Sequence, residues 1–211
     1  MIDSFGPIQW FDRNAICRHQ GINLPHYEMP GAVYFITFRL WDSLPADVYD
    51  ELASARAGFL QHNPPPRSEE QELQLKQIYY TPLERYLDKG LGRCVLRFPE
   101  ARQVLVDALL RLDGDRYQLG EYVIMPNHVH LLMRVRPGAS IRGQCRSWKN
   151  FSARRINHLT ECSGHLWQPD TFDHIIRSPA KLQQFREYIQ NNPRRLPSSD
   201  FTLGQGTLFQ T

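Results

Sequence analysis

Cysteine is scarce in this sequence, and its cysteines follow no paired spacing. Four occur among 211 residues, as Cys17, Cys94, Cys145 and Cys162, and no two form a C-x-x-C motif. This pattern argues against a disulfide framework and against a zinc knuckle, because both need cysteines in characteristic groups. We interpret the four as reduced thiols with structural roles.

Long apolar runs and phosphate-binding loops are absent as well. No stretch approaches the roughly 18–20 consecutive apolar residues that a membrane-spanning helix needs. The opening MIDSFGPIQWFDRN lacks the basic start and apolar centre of a secretory signal, so we expect a cytoplasmic protein. The sequence also contains no G-x-x-x-x-G-K-[ST] loop, and we expect no nucleotide cofactor.

What the sequence does contain is ordinary globular composition, with 41% hydrophobic and 22% charged residues. Its length suits one domain. We place that domain at residues 31–195, after an irregular N-terminal arm at 1–30 that contains Pro7, Pro25 and Pro30. We expect the C-terminal tail, 196–211, to be loosely ordered.

Charge is unevenly distributed along the chain. Between Arg134 and Arg195 there are 12 lysines and arginines against 4 acids, a net of +8, while the remaining residues carry a net of −5. Such segregation is typical of a face that binds a polyanion. A solvated helix surface that is merely basic explains the same numbers equally well.

Hydrophobic periodicity and turn residues predict an α+β fold. Ser68 and Gln71 form a capping box that opens a helix, and Thr81 and Pro82 in TPLE interrupt and restart it. The predicted strands are 32–40, 92–98, 116–125 and 127–135; the predicted helices are 44–60, 68–90, 99–112, 140–158 and 179–191, and 166–177 is predicted as a loop. This order favours an antiparallel sheet with helices on one face.

Two histidines interrupt the otherwise apolar strand 127–135. Side chains alternate along a strand, so His128 and His130 share one face with Leu132, while Val129 and Leu131 point to the other. Two imidazoles side by side can share a divalent cation. An H-x-H pair alone is a weak metal signal, and partly exposed polar residues are the commoner explanation.

Two families that use H-x-H fit the sequence poorly. Histidine-triad nucleotide hydrolases need a third histidine at the next alternate position, which is Leu132 here. Amidohydrolase barrels need further ligands on a (β/α)-barrel of roughly 250 residues, and this chain is shorter and does not alternate strand and helix.

Several motifs in order resemble the single-tyrosine transposases of the Y1 class, most closely the branch associated with repetitive extragenic palindromes (REP). They are YVIMPNHVHLLMRV, LWQPDTFDHIIR and YIQNNP, with LPHYEMPGAVYFITFRL, LDKGLGRC and SWKNFSA in support. The resemblance runs from about residue 24 to about residue 195. His128-Val129-His130 is similar to the element that names the HUH endonucleases, a histidine pair around a bulky hydrophobic residue.

The resemblance implies a ferredoxin-like sheet and a metal-dependent transposase that cuts and rejoins hairpin-forming single-stranded DNA through a covalent 5′-phosphotyrosine. It implies that Tyr188 is the nucleophile and that His128, His130 and Asn192 bind the metal. Nitrogen and oxygen ligands without thiolate suit Mg²⁺ or Mn²⁺. Gln168 and Asp173 stand in a motif of the family, and Asp173 is a candidate to orient a ligand histidine.

The helix 179–191 presents Tyr188 on the flank of its apolar stripe, where the hydroxyl can reach a site or can simply lie at the edge of the core. Basic residues near the motifs are candidate DNA contacts: Arg142, Arg146, Lys149, Arg154, Arg155, Arg194 and Arg195.

Two other functions stay open. One is a domesticated DNA-binding protein that recognises the same hairpins without completing transposition, and the other is a metal-dependent phosphodiesterase with a water nucleophile. The resemblance implies a bacterial type of protein that associates with the nucleoid when acting. The sequence does not decide between a monomer and a homodimer.

Overall fold

The computed structural model of the chain describes residues 5–10, 18–20, 26–64 and 67–210. Part of the predicted arm, including Cys17, lies outside the described residues. The strands are β1 (Arg18–Gln20), β2 (His26–Glu28), β3 (Tyr34–Arg39), β4 (Tyr117–Ile124), β5 (His128–Val135), β6 (Phe172–Ile175) and β7 (Thr202–Gln205). The α-helices are α1 (Ala46–His62), α2 (Glu69–Leu75), α3 (Thr81–Leu87), α4 (Pro99–Leu110), α5 (Ile141–Leu159) and α6 (Pro179–Asn191).

Five strands form an antiparallel sheet in the order β6-β3-β5-β4-β7, and β1 pairs with β2 separately. The predicted α+β fold with an antiparallel sheet is confirmed, but the prediction of helices on one face is wrong, because helices pack on both faces of the sheet. Strand β5 lies in the centre, where both of its edges are paired and both of its faces are covered. Any side chain on β5 is therefore held in a fixed position. Within the described residues, no helix combines the length and the apolar character needed to cross a membrane.

One face of the sheet packs against α4 and α5 through apolar side chains. Leu105 of α4 and Trp148 of α5 belong to one buried cluster with Ile36 of β3 and Leu131 of β5. Trp148 Nε1 donates a hydrogen bond to the hydroxyl of Tyr117 at 3.1 Å, so even the polar atoms of this layer are paired. We call this side of the sheet the apolar face.

Helix α6 crosses the opposite face, which carries both histidines, and we call it the site face. Ile189 of α6 is buried in a cluster with Phe35 of β3 and Leu132 of β5. Arg186 of α6 donates from Nε to Oε1 of the buried Glu121 on β4 at 2.6 Å. This charge-assisted bond, together with the apolar stripe, fixes α6 relative to the sheet.

The segment between β3 and α4 folds into three helices around a cluster of its own, which includes Leu52, Leu83 and Leu87. The predicted capping box is confirmed: the Ser68 side chain accepts from Gln71 N, and the Gln71 side chain accepts from Ser68 N. The predicted restart at TPLE is wrong, because a π-helical turn, Lys76–Tyr80, carries the helix into α3 without a new side-chain cap.

Two predictions of local structure are wrong. Residues 92–98 form no strand but a 3-10 turn, Val95–Arg97, because Cys94 adopts a left-handed φ of 50° that ends any extended run. The predicted loop 166–177 contains β6, which pairs with β3 at the edge of the sheet. Its burial pattern, partly exposed except at Ile175, lacks the clear alternation that identifies a strand in sequence.

The predicted loose C-terminal tail is also corrected. Strand β7 pairs with β4, and Thr207 N donates to Asp113 Oδ2 at 2.8 Å, while Leu208 is buried. The ring of Tyr122 occupies the space where a side chain at position 204 would stand, so the glycine there permits the close contact. The tail satisfies the backbone groups of the β4 edge.

Candidate active site

The two histidines project from β5 onto the site face, as their spacing predicted. Val129, Leu131 and Met133 belong to the cluster on the apolar face, whereas His128 and His130 lie against α6. Each histidine is only 1% exposed, and their ring centroids lie 4.7 Å apart. The strand period therefore brings two imidazoles into one buried pocket.

Asn127 determines which nitrogen of His128 is available. The Asn127 amide nitrogen donates to the carbonyl oxygens of Leu87 at 3.3 Å and Leu91 at 3.2 Å. Its amide oxygen must then face His128, whose Nδ1 donates to it at 2.8 Å. A proton on Nδ1 leaves Nε2 with a free lone pair, which is the form that binds a metal.

His130 is held by β3. Its Nδ1 lies 2.7 Å from Oγ1 of Thr37, the residue directly opposite it in the β3–β5 ladder. Its ring stacks on Phe35, with centroids 5.3 Å apart and planes inclined by 21°. Its Nε2 lies 3.4 Å from the Tyr188 hydroxyl. The arrangement leaves Nε2 as the nitrogen of His130 that faces the tyrosine.

Both imidazoles are neutral in the free protein. Burial lowers the pKa of His128 to about 3, and burial together with the neighbouring His128 lowers the pKa of His130 well below its usual value. Two adjacent imidazolium ions in this pocket would repel each other and lose their hydration. Neutral imidazoles keep the lone pairs that a metal ion requires.

Helix α6 brings Tyr188 to the histidines of its own chain. The Ser178 side chain caps the first turn of α6, and the apolar stripe of α6 packs on the sheet. The Tyr188 ring packs edge-on against Phe35 at 5.8 Å and His130 at 5.2 Å between centroids. The predicted position of the tyrosine on the flank of the apolar stripe is confirmed.

The Tyr188 hydroxyl lies in a polar, mostly buried environment. It is within hydrogen-bonding reach of the Glu84 carboxyl on α3 and of the Asn192 side chain. Burial raises the pKa of Tyr188, and the negative charges of Glu84 and Asp88 raise it further. The phenol is therefore protonated in the free protein.

Asn192 follows the last residue of α6 and is positioned as its C-cap. Its side-chain oxygen Oδ1 is buried and accepts no hydrogen bond. A buried amide oxygen without a partner is costly, so such an atom points to a ligand that it would otherwise bind. Among the described residues, no three His, Cys, Asp or Glu side chains form a metal cluster. A metal at the histidines would need this amide oxygen.

Sequence patterns do not identify three residues that contact the site, Thr37, Asn127 and Glu84. Thr37 and Asn127 contact the Nδ1 atoms of the two histidines and orient them, while the role of Asp173 stays a prediction. Gln168 does not contact the histidines through its amide, which donates to Trp41 O at 2.8 Å. The Glu84 carboxyl, on α3, faces Tyr188. The Thr37 and Glu84 contacts join residues from separate elements, which no local pattern identifies. Asn127 is the sequence neighbour of His128, but its amide is oriented by Leu87 and Leu91, which are distant in sequence.

The basic residues predicted to bind DNA fall into two groups. The exposed arginines of α5, which packs on the apolar face, are separated from the histidines by the sheet; they are Arg142, Arg146, Arg154 and Arg155. Arg194 and Arg195 are exposed in the 3-10 turn directly after α6, on the side of Tyr188. The charge asymmetry of the sequence thus maps onto two surfaces.

Lys149 is corrected from a DNA contact to a structural residue. Its side chain is buried, and its ammonium donates to the carbonyl oxygens of Gln168 at 3.1 Å and Pro169 at 2.7 Å and to Thr171 Oγ1 at 2.9 Å. These bonds satisfy all three donors of the ammonium and hold the loop before β6.

An antiparallel sheet with a histidine pair on its central strand, facing a tyrosine on the last long helix, has the layout expected of a single-tyrosine transposase. Residues 111–192 match the family model described as "Transposase IS200 like". This match covers β4, β5, α5, β6 and α6, and it confirms the family resemblance that the motifs predicted. It indicates a transposase type of function.

One known protein with detectable similarity is a distant relative. An uncharacterised protein of Haemophilus influenzae (strain ATCC 51907 / DSM 11121 / KW20 / Rd) is 26% identical over 99 residues, which cover 36% of this chain and 54% of that protein. The chain thus spans about half the length of this relative.

Two solved structures are also similar. One is a REP-associated tyrosine transposase bound to a REP hairpin, with 16% identity, a TM-score of 0.40, and coverage of 82% of this chain and 72% of that chain. The other is a candidate transposase from Deinococcus radiodurans R1, with 17% identity, a TM-score of 0.30, and coverage of 75% and 88% respectively.

Proposed function

We propose that this protein nicks and rejoins single-stranded, hairpin-forming DNA through a covalent bond to Tyr188. The observation that carries the proposal is the meeting of the Tyr188 hydroxyl with Nε2 of His130 at 3.4 Å, beside the unpaired Oδ1 of Asn192. Each of these groups is costly to bury alone, and together they have the composition of a phosphoryl-transfer site.

In the proposed reaction, Tyr188 Oη attacks the phosphorus of one phosphodiester. A bond forms between Oη and phosphorus, and the bond from phosphorus to the 3′ oxygen breaks, leaving a free 3′-hydroxyl and a 5′-phosphotyrosine. The reverse attack by a DNA 3′-hydroxyl restores a phosphodiester and frees the tyrosine. The exchange conserves bond energy, so no external energy source is needed.

The residues fit a divalent metal, for which Mg²⁺ or Mn²⁺ is the proposed identity. His128 and His130 would offer Nε2, held in place by Asn127 and Thr37, and Asn192 would offer Oδ1. A bound divalent ion supplies a Lewis acid for the scissile phosphate and positive charge beside the phenol. The protein's own part is to hold the Tyr188 ring against Phe35 and His130.

Glu84 and Asp88 act on the same hydroxyl from α3. Their negative charge keeps the phenol protonated in the free protein, because the phenolate would be repelled. The Glu84 carboxyl faces the same hydroxyl. We propose that Arg194 and Arg195 contact the backbone of the bound strand, since they are exposed next to Tyr188.

The test is a denaturing gel that detects a covalent protein–DNA adduct. Hairpin oligonucleotides drawn from the DNA flanking the gene are incubated with the protein and Mn²⁺ or Mg²⁺, with and without EDTA. We expect an adduct that needs metal and that is lost in Tyr188→Phe and in His128→Ala. Tyr122→Phe is the matched control, because Tyr122 lies on the apolar face, and it should keep the adduct.

Other outcomes would point to the other two functions. Cleavage that persists in Tyr188→Phe without an adduct would identify a water nucleophile. Tight hairpin binding without cleavage under either metal would identify a DNA-binding protein that does not complete transposition.

A further inference from the structure

The Arg39 side chain lies on the site face beside the histidines. Arg39 pairs directly with His128 in the antiparallel ladder of β3 and β5, and directly opposed residues project on the same side with Cβ atoms about 4.5–5.5 Å apart. Thr37, two residues earlier on β3, contacts His130 on this face. Arg39 thus continues the row of polar side chains that forms the candidate site.

The guanidinium of Arg39 is buried with little to compensate its charge. The residue is 7% exposed, and its one hydrogen bond within the described residues runs from Nη1 to Oγ of Ser43 at 3.1 Å. The guanidinium carbon lies 5.1 Å from the centre of the Tyr49 ring. Tyr49 in turn donates its hydroxyl hydrogen to Asp170 Oδ2 at 3.4 Å, and the Asp170 carboxylate acts on the Arg39 charge without forming an ion pair with it among the described residues.

Arg102 shows how a buried arginine is normally satisfied in this protein. It is 6% exposed, and its guanidinium donates to the carbonyl oxygens of Leu96, Arg97 and Ser199 and to Thr202 Oγ1, at 2.6–3.0 Å. Arg39 has one such bond and, within the part of the chain that the structure describes, no ion pair with a carboxylate. The remaining N–H groups of Arg39 are not sealed from solvent, since they are not among the enclosed unpaired atoms.

We propose that Arg39 binds a backbone phosphate of the single-stranded DNA next to His128. The proposal rests on the proposed function and extends it by a substrate-binding residue. A phosphodiester carries one negative charge, and its two non-bridging oxygens match the fork of guanidinium N–H groups. The phosphate would compensate the buried charge of Arg39 beside the candidate site, as the carbonyl oxygens compensate the buried charge of Arg102.

The test measures DNA affinity against salt concentration. Hairpin oligonucleotide binding is followed by fluorescence anisotropy over a series of KCl concentrations without divalent metal, in the Tyr188→Phe protein so that no cleavage occurs. Adding Arg39→Met should weaken binding about 10- to 100-fold, as removal of a charged hydrogen bond does. It should also reduce the slope of log affinity against log salt by about 0.7, the contribution of one bound phosphate in single strands.

Arg102→Met in the same Tyr188→Phe protein is the matched control. It removes a buried arginine of similar exposure whose partners are all within the protein, so it should lower the melting temperature and leave the salt slope unchanged. Arg39→Met should do the opposite, because it relieves an uncompensated buried charge. If Arg39→Met does not fold, Arg39→Gln, which can still donate to Ser43, is measured instead.

An unchanged salt slope in the folded Arg39 variant overturns the proposal and makes Arg39 a structural residue. The proposed function fails separately. If the wild-type protein binds the hairpin with a slope that depends on Arg39 but forms no adduct, the phosphate contact stands and the nuclease reaction does not. If the adduct forms and the salt slope does not change in the Arg39 variant, the nuclease reaction stands and the phosphate contact does not. A wild-type protein that does not bind the hairpin contradicts both.

Discussion

The two faces of the central sheet differ in what they bury. The apolar face seals Leu105, Leu131 and Trp148 against α4 and α5, and the polar atoms described there are paired within the protein. The site face buries His128, His130 and Arg39, together with two oxygen atoms that have no partner, Glu121 Oε2 and Asn192 Oδ1. Both faces are built from the same three strands, β3, β5 and β4.

The difference teaches where stability and function are separated in this fold. Apolar burial stabilises the folded protein by roughly 25 cal/mol per Å² of surface removed from water, and it does so without a ligand. Buried polar atoms without partners cost free energy unless a ligand completes them. We therefore expect substitutions on the apolar face to change stability and substitutions on the site face to change chemistry.

The largest stability effect should come from the apolar face. Leu105→Ala removes a fully buried side chain and should lower the free energy of unfolding by about 2–5 kcal/mol, measured by urea denaturation. Leu110→Ala, at an exposed position of the same helix, should stay within about 0.5 kcal/mol. The folded fraction of Leu105→Ala should still form the DNA adduct. Loss of adduct formation per folded molecule would contradict the separation of the two faces.

The second effect concerns the ion pair that fixes α6. Arg186→Met leaves the Glu121 carboxylate buried and unpaired, and since the Arg186 side chain is 33% exposed we expect a loss of about 1–3 kcal/mol in unfolding free energy. Adding Glu121→Leu should recover most of the loss, because the unpaired charge is then removed. A double variant as unstable as the single one would show that the pair acts through packing, not charge.

The third effect should be visible in metal affinity with little change in stability. Thr37→Val removes the hydroxyl that holds Nδ1 of His130, and it should weaken Mn²⁺ binding about 10- to 100-fold, measured by titration calorimetry. Thr160→Val, at the end of α5, is the matched control and should bind Mn²⁺ like the wild type. Equal affinities in both variants would mean that Thr37 does not orient the ligand.

The smallest effect should come from the exposed arginines on α5. Arg154→Gln combined with Arg155→Gln should leave the salt slope of hairpin binding unchanged, because the sheet separates α5 from the site. Arg194→Gln combined with Arg195→Gln should lower the slope by about 0.7 for each phosphate that the protein no longer binds. A larger drop for the α5 pair would show that DNA wraps around the apolar side of the molecule.

Much of the fold was predictable because it depends on local patterns. The alternation around His128 and His130 assigned their face, and the helical period of α6 placed Tyr188 on a flank. Strand β6 and the C-terminal strand β7 were missed, because edge strands bury few side chains and carry a weak pattern. The strand predicted at 92–98 was wrong, since the left-handed backbone at Cys94 is not visible in composition.

The sequence by itself determined the strand with two histidines, the helix with the tyrosine, and the resemblance to a family that combines them, because strand and helix periods and motif order are properties of the chain alone. Tertiary structure alone decided that Asn127 and Thr37 orient the histidines, that Glu84 faces Tyr188, and that α5 lies behind the sheet. Thr37 and Glu84 reach the site from separate elements, and the Asn127 amide is oriented by the carbonyl oxygens of Leu87 and Leu91. How the elements pack sets such contacts, and no local period records it.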